Sequence, residues 1–474
     1  MAAARGWRPL GDVVKQAEAI GNMQYIQVRE PRTKELKRVV KSMNQLARNS
    51  QLVMEEENKR LDLLRYKTQF DEHTDLPNRH YFLSILKGQL AFRDTEGVNC
   101  LFSITFSDKH GLDDSSTNHT LLNGFIDALS KSLSQLHHLY SDCRVGRIAH
   151  NQIAVLLTEI HAPDVIAEEI DNLCDPLRSG LHISGRQVVT RLRDDDTYKS
   201  VLARIDTLIV RAQASSSACY IADNKLVNAL NQEDEIWWAE KLNEVIRDEL
   251  VETFNFPVLD ENRQLVHYQS WAGVEIDGKL QKSGFYTHWA RYLGLLAKIE
   301  RTTLFHLINY INRTNTSSKF AFLCSEQLMT DTQECELLFQ ALDNHVKAAH
   351  QLCIEVRENT AERCPEEFEL FCKLLKQRGC EVGLKRVGES FSQLSGVQKL
   401  GLDYVKIDSA FINDIDSNLA NHAFIRGFCS LAHAFGMKVY ADGAKRSDFN
   451  SLFQELGIDG VVSHIEVIET LLDD

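Results

Sequence analysis

CEVGLKRVG (380–388), DYVKIDSAF (403–411) and MKVYADG (437–443) decide the fold. Each is a short apolar run. Each is separated from the next by a stretch that reads as helix. LCIEVRE (352–358), KFAFLCS (319–325) and QLVHYQSWAG (264–273) extend the pattern upstream, and DGVVSH (459–464) closes it. Strands that are apolar along their whole length are buried on both faces, as in parallel sheets. Strand–helix alternation of this kind predicts a parallel (β/α) barrel. In such barrels the chemistry sits at the C-terminal ends of the strands. Lys385 and Arg386 fall at such an end, so a strand that reads as buried finishes in two cations.

Before the barrel the texture differs. NQEDEIWWAEKLNEVIRDELVETF (231–254) reads as a helical linker. From Asp71 to residue 222, polar turns, helices and alternating strands such as CLFSITFSD (100–108) imply one sheet with helices against it. CRVGRIAHNQIAVLLTEI (143–160) reads as strand, turn, strand. Residues 31–71 hold a long helix free of Gly and Pro after Pro31, with Leu36, Val40, Met43 and Leu46 at helical spacing. The predicted class is α/β. Its parts are an N-terminal helical segment (1–49), a further helical stretch (50–70), an α+β domain (71–222), a helical linker (223–245) and the barrel (246–474).

Composition narrows the function. The 474 residues carry a net charge of −14, which argues against broad nucleic-acid binding. Residues 1–66 hold 13 Lys and Arg against 8 Asp and Glu. A basic start suits either a segment beside an anionic membrane face or a solvated helix surface. The 11 cysteines include no CxxC pair and read as reduced thiols of a cytoplasmic protein. No apolar run is long enough for a membrane span, and MAAARGWRPLG lacks a secretory core.

FDEHTDLPNRHYF (70–82) resembles the opening of a GGDEF, or diguanylate cyclase, domain, and RIAHNQIAVLL (147–157) falls where that family carries its signature hairpin. The barrel resembles an EAL domain through GLDYVKIDSAFINDI (401–415), AHAFGMKVYADGAK (432–445) and LGIDGVV (456–462). RPLGDVVKQAEAIGN (8–22) and PRTKELKRVVKSMNQLA (31–47) are similar to the HAMP relay and signalling helix of LapD-type receptors. LVHYQSW (265–271) and FYTHWARYLGLLAKIERTTL (285–304) are similar to their barrel. The resemblance implies cyclic di-GMP signalling, with a place at the inner face of the membrane if a transmembrane segment lies upstream.

It also implies where chemistry should be. EAL enzymes hydrolyse cyclic di-GMP with two divalent cations held by carboxylates. Here the first ligand position reads Gln269. A phosphate-contacting Arg reads Gly273, and an Asn reads Leu323. The central Glu survives as Glu355 and the catalytic Lys as Lys406. Paired aspartates read Lys385 and Arg386, a later Glu is shortened to Asp442, and another reads Lys445. The cyclase hairpin reads Ala149, His150, Asn151, Gln152 and Ile153, without its glycines and acids. Ser107 takes the place of a metal-binding Asp, with Asp108 beside it. Tyr140 and Cys143 replace the Arg and Asp of the inhibitory motif.

These replacements predict no catalysis and no Mg²⁺ or Mn²⁺. Gln269, Trp271, Lys385, Arg386, Lys406 and Asp442 are the expected ligand-facing set, with cyclic di-GMP as the ligand. Lys385 and Arg386 either capture an anion directly or pair with Glu355 and Asp442. Trp271 either stacks a base or packs the mouth. Three functions stay open: a cyclic di-GMP receptor without catalysis, a protein-interaction scaffold that no longer binds nucleotide, and an active phosphodiesterase using other ligands. The long helix predicts a parallel homodimer. The sequence names no protein partner.

Overall fold

In the computed structural model the described residues are 34–91, 98–108, 116–133, 143–160, 166–173, 183–193, 195–214, 219–221, 232–388, 400–412, 415, 419–442 and 451–462. Most of the HAMP-like expectation, together with Tyr140 and Lys445, lies outside them. The chain divides into two compact units, one of residues 1–65, 255–270 and 308–474, the other of 66–254 and 271–307.

A single helix, Lys34–Gln69, spans most of the stretch read from the sequence as one long helix. Val40 and Ala47 on it are fully buried, whereas Val39, Leu46, Leu52, Val53 and Leu63 are exposed. No described helix is long and apolar enough to cross a membrane.

The first sheet comprises β1 (Val98–Asp108), β2 (Cys143–Ala149), β3 (Gln152–Ile160), β4 (Ile183–Arg191) and β5 (Cys219–Ile221), in the order β2-β3-β1-β4-β5. Phe102, Phe106, Val155 and Val189 pack with Phe125, Ile126 and Leu129 of helix Ser116–Leu133 in one core. The described residues thus form one sheet with helices against it, an α+β arrangement.

The second sheet is the barrel. Its strands are β6 (Val251–Asp260), β7 (Leu265–Ile276), β8 (Lys279–Lys282), β9 (Phe320–Leu323), β10 (Leu352–Arg357), β11 (Glu381–Val387), β12 (Tyr404–Ile407), β13 (Lys438–Ala441) and β14 (Gly460–Val462). β6 pairs with both β14 and β7, which closes eight strands into a ring with β8 outside it. β7 and β9 to β14 run parallel to one another. β6 is antiparallel to β14, which corrects the all-parallel expectation. It also corrects the linker: the helix stops at Arg247, and VETFNF is strand. Glu249 takes a left-handed backbone, φ 53°, between helix and strand.

Every residue of β12 is buried, and all of β10 but Arg357. β11 bends at its end. Its register with β12 slips between Leu384 and Val387, a bulge that holds Lys385 and Arg386. Arg386 has φ 57°, a conformation that costs an ordinary residue roughly 1 kcal/mol or more. Bulges of this kind re-aim side chains at barrel rims. Gly383 lies beneath the Tyr404 ring, where a Cβ would come within 2.4 Å of it.

Candidate functional site

In a barrel of this kind alternate strands contribute to the same layer of interior side chains. β7, β10 and β12 are alternate strands in the ring order, and they bring together Gln269, Glu355 and Lys406, all with no exposed surface. The Lys406 ammonium is 2.6 Å from Glu355 Oε1 and also donates to Gln269 Oε1. Gln269 Nε2 donates to the Ala321 carbonyl at 3.2 Å. The Tyr404 hydroxyl donates to Glu355 Oε1 at 2.8 Å. Glu355 Oε2 is buried without a hydrogen-bond partner.

The electrostatics follow. Burial by itself raises the Glu355 pKa; the charges of Lys406 and then Lys385 outweigh it and hold the carboxyl below its usual range. Burial lowers the Lys406 pKa, and Glu355 opposes that shift without cancelling it. The 2.6 Å contact between fully buried side chains is that of an enclosed ion pair in the barrel interior.

The intervening strands supply a second, more accessible pair. Lys385 on β11 lies 3.4 Å from Asp442 Oδ2, just beyond β13, and their side chains are 9% and 13% exposed. The sequence reading offered Glu355 and Asp442 as partners for Lys385 and Arg386. The structure pairs Asp442 with Lys385 but gives Glu355 to Lys406. Arg386, half-buried, follows in the bulge.

The remaining positions are as follows. Leu323 stands opposite Glu355 in the β9–β10 register. Trp271, half-buried, lies two residues beyond Gln269 on β7. At Gly273 a Cβ would meet the Phe254 ring at 2.7 Å, so this position has no room for a long side chain without repacking. Among the described residues, no group of three or more His, Cys, Asp or Glu is arranged to hold a metal.

Three residues were missed by sequence reading. Glu358 is buried and accepts from the Gly388 amide through both carboxylate oxygens, at 3.2 and 3.3 Å, tying the end of β10 to the end of β11. Its signal was available: a carboxylate directly after a buried strand, at the first turn of helix Glu358–Arg363. The sequence shows Tyr404 only as one residue of the apolar run DYVKIDSAF. His267 sits on β7 against the Tyr404 and Tyr440 rings, at 5.1 and 5.6 Å. Burial, aided by Lys406, keeps it neutral.

In the first sheet, Arg147 takes over the hairpin. It donates to Asp71 Oδ1 at 2.9 Å, to Asn123 Oδ1 at 2.8 Å and to the His150 carbonyl at 2.7 Å. Phe106 N donates to the Asn151 carbonyl at 2.9 Å. The hairpin's polar groups are thus bound up by the protein itself. His150, at the turn, is exposed.

The EAL domain family profile matches residues 243–462. Residues 243–462 are an EAL domain. The S helix–GGDEF–EAL portion of Vibrio cholerae LapD, in its apo form, superposes with a TM-score of 0.71 at 16% identity, covering 87% of this chain and 98% of that one. Among curated proteins, the EAL-bearing chain is 24% identical over 173 residues to the cyclic di-GMP phosphodiesterase PdeF of Escherichia coli, covering 36% of this chain and 23% of PdeF. It is 19% identical over 417 residues to the signaling protein YkoW of Bacillus subtilis, covering 82% of this chain and 50% of YkoW. The chain thus spans less than two thirds of either relative.

Proposed function

We propose that this EAL domain binds cyclic di-GMP without hydrolysing it and that the N-terminal helix passes the bound state on. The observation that carries the reading is the pair of internal ion pairs, Lys406–Glu355 and Lys385–Asp442. Two-metal hydrolysis needs anionic oxygens free to hold the cations. Here the two surviving carboxylates each face an ammonium. A dication 4 Å from one ammonium meets roughly 8 kcal/mol of repulsion at an effective dielectric near 20. Gln269 spends both ends of its amide on Lys406 and Ala321. These residues do not fit a pair of divalent cations.

Cyclic di-GMP as ligand rests on the EAL family and on the activity named for PdeF. The mouth offers Lys385 as a point charge and Arg386 as a planar fork, both suited to phosphate oxygens. Lys406, expected beside them as a third cation, is occupied below.

For the relay, exposed Val39, Leu46 and Val53 recur every seven residues, the repeat of a coiled-coil seam. We assign this stripe to a parallel homodimer. A cytoplasmic chain held near a membrane is compatible with these features. A second reading, a scaffold that no longer binds nucleotide, is favoured by Leu323 and by the filled space at Gly273.

Calorimetric titration of the whole chain with cyclic di-GMP in EDTA separates the readings. Saturable heat with micromolar or tighter affinity supports the receptor. Its absence leaves the scaffold. Linear dinucleotide formed with added Mg²⁺ or Mn²⁺ contradicts both.

A further inference from the structure

We infer that Asp442 is an internal competitor for the ligand: its carboxylate occupies Lys385, and a phosphodiester must displace it to bind. The inference rests on the receptor reading and deepens it.

The two ion pairs of the barrel are not equivalent. Lys406 and Glu355 have no exposed surface, and their charges meet at 2.6 Å, with Tyr404 and Gln269 adding bonds on either side. A group so enclosed cannot exchange partners without opening the barrel. Lys385 and Asp442 sit on the strands between. Both retain exposure, and their charges are 3.4 Å apart. This is a looser contact than the 2.7–2.9 Å of a strong charge-assisted hydrogen bond.

Geometry makes the exchange feasible. Lys385 lies in the bulge where β11 slips against β12, and the next residue holds a left-handed backbone. The bulge is clamped on its far side, since Glu358 binds the Gly388 amide and Phe411 fills the space a Cβ would need there. The backbone is therefore fixed, and an exchange of partners falls to the lysine side chain, four methylenes long. The Asp442 amide donates to the Ile407 carbonyl at 3.2 Å, so the backbone next to its carboxylate is also anchored.

Chemistry gives the ligand class. An ammonium released from a carboxylate prefers another anionic oxygen, and a cyclic dinucleotide carries two phosphodiesters. The carboxylate left behind repels a ligand of its own sign. Asp442 thus sets the affinity threshold: the site fills only when the ligand concentration is high enough to outcompete an internal anion.

The test is titration of the whole chain with cyclic di-GMP in EDTA at low salt, for the unmodified protein, Asp442→Asn, Lys385→Met and the double variant. Asp442→Asn keeps shape and removes charge. It is expected to bind about fivefold tighter, the worth of a partly exposed ion pair. Lys385→Met is expected to bind at least about tenfold weaker. In the double variant the gain from Asp442→Asn should vanish, because no ammonium remains to be released. If the unmodified protein binds and Asp442→Asn is equal or weaker, the competitor role is wrong while the receptor reading stands. A gain that survives in the double variant also overturns it, since the effect is then a general field. If the unmodified protein and Asp442→Asn both fail to bind, the receptor reading itself falls and takes the inference with it.

Discussion

At the scale of single residues, one interior pair sets the character of the barrel. Breaking a buried ion pair on one side leaves an uncompensated charge, which costs about 3–5 kcal/mol. Lys406→Met should therefore destabilise the domain by about that amount in urea, and adding Glu355→Gln should restore part of it. The pH dependence has a definite sign. The folded Glu355 carboxyl lies below its ordinary value of 4.5, so its contribution is complete above that value and is lost as pH falls through the folded pKa. Unfolding midpoints measured between pH 6 and 3 should fall at the acidic end, and Glu355→Gln should flatten that fall. An unchanged acid profile would remove the pair from the account.

Single residues also show what a sequence reading can and cannot reach. The sequence reading marks Gln269, Lys385 and Arg386 as departures from the family pattern because their surroundings, QSW and EVGLKRVG, keep the local pattern. Which cation would face which anion was not identifiable. That choice depends on which strands share an interior layer, and strand order around a ring is a long-range property. Glu358 is marked in the sequence only as a carboxylate directly after a buried strand; its partner is a backbone amide, and amides leave no mark in a sequence.

At the scale of elements, the β11 end and the hairpin make separate predictions. Gly388 has φ 142°, and a Cβ there would come within 2.4 Å of the Phe411 ring. Gly388→Ala should cost at least about 1 kcal/mol and loosen the Lys385–Arg386 bulge, seen as faster amide exchange across 385–388. In the first sheet, Arg147 is nearly buried and bridges Asp71, Asn123 and the hairpin turn. Arg147→Ala should destabilise that sheet by about 3 kcal/mol and raise exchange in 143–153. Protection unchanged at those amides would show that the hairpin stands without it. Most strands were legible because they are continuous apolar runs. β6 is not: VETFNFPVLD mixes polar residues and a proline, and its first four residues, VETF, continue the helix pattern of 231–254. Its antiparallel pairing with β14 is fixed by ring closure, which no local pattern encodes.

At the scale of the whole molecule, the helix, the sheet domain and the EAL barrel form one chain in which the proposed ligand site and the exposed heptad stripe are far apart in sequence. If the stripe is a dimer seam, Leu46→Lys with Val53→Lys should yield a monomer by sedimentation while the barrel's cyclic di-GMP affinity stays within about twofold. A dimer that survives both changes would place the contact elsewhere.

The central claim is that fixed cations and their carboxylate partners have replaced a two-metal centre. The most direct measurement is turnover of cyclic di-GMP by the purified chain over hours with millimolar Mg²⁺ or Mn²⁺, followed by chromatography for linear dinucleotide. The account predicts the cyclic compound intact, with the same result in EDTA. Metal-dependent linear product that disappears in Glu355→Gln would contradict it.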